Sequence, residues 1–277
     1  MSAKSKSRWN IGIEGLMILL ALLFLSPFYF LLANSVKSFG EILGNAASWP
    51  EVFMWSNYSN AWKLARFSEA FRNSIIVTVI SVVLISLFSA MAAYRMVRAN
   101  TRFNQILLLL FVAAMVVPFQ TIMIPILKVV NIIGVNNSFL GLIITNLGIS
   151  VPMAIFLFHG FIKSVPLEIE EAATVDGCNP FSVFFRIVLP LLKPMLMTTI
   201  VLNALGIWND YLLPSLILQA PELRTIPLAT FSFFGQYTKQ WDMALPALVL
   251  GIAPIIVFYL FMQRYIVEGI AAGSVKG

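Results

Sequence analysis

Six apolar runs, each about 20 residues long, constrain this chain more than any other feature. A run of that length, wound as a helix, crosses the roughly 30 Å hydrocarbon core of a bilayer. The runs lie at residues 15–34, 74–94, 106–127, 139–161, 191–213 and 245–263. Composition agrees: 60% of the residues are hydrophobic and only 11% are charged, against about 25% charged in soluble domains. So little charge cannot cover a globule in water, and so much apolar surface excludes a disordered chain. One cysteine in 277 residues excludes a disulfide scaffold. The expected fold class is an all-α polytopic membrane protein with six transmembrane helices, forming a single transmembrane domain over residues 1–277.

The first run follows Lys4, Lys6 and Arg8, and small residues at Ala33-Asn34-Ser35 offer a possible signal-peptide cleavage site. The run exceeds the 7–15-residue core of a typical signal peptide, so it reads as a span. Six spans put both termini on one side. With the termini inside, 11 Lys and Arg fall on inner segments and 7 on outer ones. The short stretch Arg95–Arg102 and the N-terminus carry the bias, and the positive-inside rule places both termini in the cytoplasm. Anionic lipid accounts for the net charge of +6 without a nucleic acid. Between the first two runs, Ser35–Asn73 mixes charged residues with Trp55, Tyr58 and Trp62, and reads as an outer loop with short interfacial helices.

No hydrolase or nucleotide-binding motif occurs. Cys178 and His159 are each the only residue of their kind, which excludes a thiolate metal cage; His159 reads as a hydrogen-bonded histidine near the interface. No catalytic residue, cofactor or metal is expected. If the protein does work, something else supplies the energy.

The polar interruption between the fourth and fifth runs, residues 163–190, carries the most information. Pro166 and the acidic residues Glu168, Glu170 and Glu171 suit the first turn of a helix. Asp176-Gly177 ends that helix, and Asn179-Pro180 opens another. The second helix carries Phe181, Phe184, Phe185 and Val188 at i, i+3, i+4, i+7, an apolar stripe on a segment the topology puts in the cytoplasm. Physics alone leaves two readings open: a docking surface for another protein, or a loop folded back on its own membrane domain.

The same segment resembles the "EAA" loop of binding-protein-dependent ABC importer permeases. Glu171-Ala172-Ala173-x-x-x-Gly177 and Ile187-x-Leu189-Pro190 match it in register. Asn73-Ser74, Ala92-Ala93-Tyr94-x-x-x-Arg98 and Trp208-Asn209-Asp210 resemble the carbohydrate branch, and residues 263–277 resemble the C-terminus of the maltose-type second permease subunit. Cys178 stands where a small residue is usual.

The resemblance implies the type I ABC importer permease fold and a role as one of two membrane subunits. The implied partners are a second homologous permease, two copies of a cytosolic ABC ATPase and an extracellular solute-binding protein that delivers sugar. The site is the cytoplasmic membrane of a bacterium, and the chain itself is no enzyme. Glu171, Ala172, Ala173, Asp176 and Gly177 would form the coupling helix, with Phe181, Phe184 and Phe185 as further ATPase contacts. Gly273, Lys276 and Gly277 would reach between the ATPases. Gln120, Thr121, Asn146, Ser150, Asn203, Trp208 and Asn209 are the polar or aromatic candidates for a sugar path, each alternatively interhelical glue. Asp210 reads as lying near the outer interface, outside the path. Pro118, Pro125 and Pro152 read as hinges or as static kinks. Competing readings are a permease of the same fold for a non-sugar solute such as glycerol phosphate, a membrane enzyme, or a stand-alone channel.

Overall fold

A computed structural model describes residues 3–235 and 240–274, with side-chain surroundings for 11–235 and 240–263. In chain order the described helices are α1 Ala3–Ser35, α2 Phe39–Gly44, α3 Ser56–Leu64, α4 Phe67–Arg98, α5 Arg102–Val116, α6 Phe119–Ile132 and α7 Phe139–Ile162. They continue with α8 Leu167–Val175, α9 Pro180–Val183, a π-helical turn Phe184–Val188, α10 Leu189–Leu191 and α11 Lys193–Asn209. α12 Leu212–Ile217, a 3-10 turn Pro221–Leu223, α13 Ile226–Phe231 and α14 Trp241–Ser274 complete the set. No strand pairs with another to form a sheet among the described residues.

Four described segments are long and apolar enough to cross a membrane: Ile11–Ser35, Phe67–Arg98, Phe139–Ile162 and Trp241–Gln263. Two bent pairs complete a set of up to six. α5 and α6 meet at 109°, and Pro180–Leu191 meets α11 at 76°. The sequence reading carries the third run through Pro118 as a hinge or kink, and starts the fifth run at residue 191 with no break near Leu192. The first break falls at Val117-Pro118. Val117 is extended because the ring of Pro118 crowds the α conformation of the residue before it. Pro118 then caps α6. The second falls at Leu192, just before Lys193-Pro194. Pro125 and Pro152 stay inside α6 and α7 without breaking them.

The chain divides into two compact units, Met1–Phe67 with Thr230–Ile252, and Ser68–Ala229 with Ala253–Gly277. In the first, α1 leaves large apolar side chains exposed from Ile11 to Leu32, a surface for a non-aqueous neighbour. The loop after α1 is pinned from inside by Lys37, whose side chain is fully buried. Its Nζ donates to the carbonyls of Ser48 at 2.6 Å and Asn45 at 3.1 Å and to the Ser48 hydroxyl at 3.2 Å. Asn34 Nδ2 donates to the Ala46 carbonyl, and Asn57 Nδ2 to that of Lys37. Rings of Tyr29, Trp49, Phe53, Trp55 and Tyr58 follow one another at centroid spacings of 6.0–6.4 Å.

In the second unit, the buried core gathers Ala90 and Ala93 of α4, Ile155, Phe158 and Ile162 of α7, and Ala173, Phe184, Val188 and Leu192. Small residues on α4 permit close helix approach there. A further clamp holds the start of α4. Asn73 Nδ2 donates to the carbonyls of Glu222 and Arg224, and Ser74 Oγ accepts the Ile226 N–H.

Candidate functional site

The loop after α7 is built as two helices around one glycine. α8 ends at Asp176, and Gly177 takes φ +85°. The Gly177 N–H reaches the Thr174 carbonyl and the Cys178 N–H the Ala173 carbonyl, both at 3.0 Å. This paired closure of a helix end needs a left-handed residue at the Gly177 position. Asn179 then caps α9, its Oδ1 accepting the Ser182 N–H at 2.8 Å, with Pro180 in the first helical position. A Cβ placed on Gly177 would meet nothing within 4 Å. The constraint at Gly177 within this chain is therefore its backbone angle.

Glu171, Ala172, Asp176 and Gly177 are exposed, while Ala173 is buried in the core. The apolar stripe does not hold together. Phe181 is 70% exposed and Phe185 is 42% exposed, but Phe184 is only 4% exposed and Val188 is fully buried. Phe184 is thus corrected from a docking contact to a core residue, its ring tilted against Tyr94 at 5.3 Å and edge-on to Phe185 at 5.0 Å. Only one edge of the stripe packs inward, and a π turn begins at Phe184. The Leu189 N–H bonds to the Phe184 carbonyl, one residue wider than an α-helical bond. Pro190 has no N–H to give Arg186, and its ring crowds that carbonyl, so the preceding turn opens.

One residue of the acidic run has a role the sequence reading missed. Glu170 is 5% exposed. Its Oε1 accepts from Arg98 Nε at 2.9 Å and Nη2 at 2.6 Å, and its Oε2 accepts the Tyr94 hydroxyl at 2.8 Å. Arg98 Nη2 also donates to the Val165 carbonyl at 2.9 Å. The last turn of α4 thereby holds α8 by a buried, fork-like ion pair. The signal in the sequence was the seven-residue match around Tyr94 and Arg98, which gave the residues without their partner.

Of the path candidates, Asn146 and Ser150 on α7 and Asn203 on α11 line one cavity of about 530 Å³. Asn146 and Ser150 share a face at i, i+4. Asn203 Nδ2 donates to the Thr199 carbonyl, which leaves its amide oxygen directed to other donors. Phe119 and Asp210 complete the polar and aromatic part of the wall, and Leu202, Ile207 and Leu213 are among its apolar side chains. Asp210 lines this cavity as well, its Oδ1 accepting the Leu212 and Leu213 N–H groups. Gln120 and Thr121 are exposed beside Phe119 without lining it. Trp208 faces a separate apolar cavity of about 600 Å³, edge-on to Phe71 at 6.0 Å. Asn209 is exposed, with its amide bonded to the Leu205 carbonyl of its own helix. Gly273 falls within α14, while Lys276 and Gly277 lie outside the described residues.

Comparison with known proteins adds the following. Residues 83–271 match the model of a family described as "Binding-protein-dependent transport system inner membrane component". The chain is 42% identical over 262 residues to the probable starch degradation products transport system permease AmyC of Thermoanaerobacterium thermosulfurigenes, covering 94% of each. It is 34% identical to the melibiose/raffinose/stachyose import permease MelC of Bacillus subtilis strain 168, covering 91% of each. The fold resembles a chain in the crystal structure of a bacterial ABC transporter that imports alginate, with TM-score 0.82 at 22% identity over 96% of this chain and 99% of that one. A chain of the MetNI methionine ABC transporter gives TM-score 0.59 at 14% identity, over 76% of this chain and 98% of that one.

Proposed function

The chain belongs to the family of binding-protein-dependent transport system inner membrane components, and on that premise we propose that it forms half of the translocation path of an ATP-driven oligosaccharide importer. The observation that carries the sugar reading is the cavity where Asn146, Ser150 and Asn203 face a common space with Phe119 and Asp210. Its volume lies within the roughly 300–1,000 Å³ of small-molecule sites. Amide and hydroxyl groups matched to sugar hydroxyls, set in an apolar wall with one aromatic ring, suit a neutral polyol. Among the described residues no Lys or Arg lines this cavity, which disfavours a phosphorylated substrate. The most similar of the reported relatives, by their names, act on starch products and α-galactoside sugars.

In this reading both termini are cytoplasmic, and α8 with α9 is the coupling loop that docks on a cytosolic ATPase. A second permease completes the path, and a solute-binding protein delivers sugar from outside. Transport makes and breaks no covalent bond in this subunit. Ligands at the two faces bias two packings of the helices. Glu171 projects from the exposed side of α8, available to a basic residue of the ATPase.

Reconstitution with the partner permease, the ATPase and the binding protein tests the assignment, with uptake scored across maltodextrins, raffinose-type sugars and glycerol phosphate. Uptake of glycerol phosphate in preference to every sugar would overturn it. Asn146→Leu and Asn203→Leu each remove a polar partner from the cavity. Each is expected to raise the KM for sugar about tenfold, with ATPase assembly unchanged on a sizing column. Glu171→Lys reverses the charge offered to the ATPase. It is expected to cut sugar-stimulated ATP hydrolysis by on the order of 10–100-fold, whereas Gly177→Ala costs only about 1–2 kcal/mol of backbone strain. Normal coupling in Glu171→Lys would remove Glu171 from the docking surface.

A further inference from the structure

A second polar pocket, of about 520 Å³, lies where three spans end. Arg98 is the last residue of α4, Arg102 opens α5, and α7 ends at Ile162, one residue before Lys163. These ends gather Arg98, Asn100, His159 and Lys163 around a floor that includes Leu108 and Leu109. No carboxylate lines the pocket. Arg98 has spent Nε and Nη2 on Glu170 and Val165, so that pair is close to neutral. Lys163 brings a full charge to which no described acidic side chain is bonded, and His159 stands one helical turn before it on the same face. Gln105 Nε2 is bonded to the Asn100 side-chain oxygen, which orients the Asn100 amide.

The apolar surroundings select among anions. Phe103, Ile106, Leu109 and Leu110 are 57–68% exposed on α5, so the surface beside the pocket suits an acyl chain. A cationic recess at the level where spans leave the hydrocarbon, flanked by such a surface, matches the two parts of a phospholipid. We propose that this pocket holds the phosphate headgroup of an anionic phospholipid, with Lys163 as the charged contact, His159 and Asn100 as further donors, and the acyl chains along α5. Because Arg98 also fixes α8, a lipid here sits against the base of the coupling loop.

The test uses the assembled transporter in mixed phosphatidylcholine–phosphatidylglycerol nanodiscs, with retained lipid counted by native mass spectrometry after graded delipidation. Lys163→Gln is expected to lower retained phosphatidylglycerol about fivefold, while Lys163→Arg keeps it. Arg102→Gln, an exposed cation outside the pocket, serves as the control and is expected to leave retention unchanged. Inorganic phosphate in excess is expected not to displace the lipid. Retention in Lys163→Gln equal to the parent, or a loss no larger than in Arg102→Gln, would overturn the proposal. So would equal retention of phosphatidylcholine, or displacement by phosphate alone.

Discussion

Glu170→Ala will loosen the α8–α9 loop by about 3 kcal/mol, because it strands the Arg98 guanidinium in a mostly buried site. The cost is that of an uncompensated charge, and it exceeds what the pair contributes relative to apolar groups of the same size. The double variant Arg98→Met/Glu170→Met therefore recovers much of the lost stability. Hydrogen exchange at the amides of α8 is the direct readout. Opening of α8 is expected to rise on the order of 100-fold in the single variant and to return most of the way in the double. If α8 and α9 dock on an ATPase as proposed, sugar-stimulated ATP hydrolysis falls in the single variant as well. Exchange rates in Glu170→Ala equal to the parent would show that the core packing of Ala173 and Val183, and not this pair, holds the loop. Tyr94→Phe removes one neutral donor to the same carboxylate and should cost only about 1 kcal/mol.

Lys37→Met is the second large effect. The methionine removes the charged donor to the Ser48 and Asn45 carbonyls, which lie on exposed and half-buried residues where water can partly replace it. A hydrogen bond to a charged group contributes about 1.5–3 kcal/mol, so the loop from Ser38 to Trp49 loses roughly 2–3 kcal/mol. The partners of Lys37 are neutral oxygens, so there is no stranded countercharge and the effect stays local. Limited proteolysis within residues 38–49 and exchange at the Met54 amide, which bonds the Val36 carbonyl at 2.7 Å, read it directly. Cleavage no faster than in the parent would mean that Asn34 and Asn57 hold the loop without help. Thermal unfolding of the second unit is expected to be unaffected.

Much of the coupling loop was legible because it obeys local rules. Gly177 follows Asp176 at a helix end, and Asn179-Pro180 opens the next helix; both rest on backbone angles and caps that neighbouring residues decide. The stripe from Phe181 to Val188 failed because the core of Ala93, Ile155 and Phe158 takes in only one edge of it, Phe184 and Val188. Those partners lie far away in the chain, and Phe181 stays outside. Glu170 read as a helix-dipole residue because its partner lies 72 positions away, a separation no local pattern reports. The cavity was half legible. Asn146, Ser150 and Asn203 stand out as polar residues within apolar runs, but Phe119 and Asp210 join them only because the chain breaks at Pro118 and after Asn209. The first break falls at a proline already read as a hinge or kink, whereas the continuous run at 191–213 hid the second.

The 76° bend at Leu192 works as an elbow. One arm, Pro180–Leu191, begins beside the exposed turn at Gly177. The other, α11, carries Asn203 ten residues along, about 15 Å from the joint. On the proposed function, a push on the first arm would swing the second, and a turn of only about 5° would sweep Asn203 through roughly 1 Å at that radius. Hydrogen bonds are made or lost over such a distance. The joint would then give the cavity a gear ratio, so that a small tilt at the exposed turn changes the grip on a ligand held by Asn203.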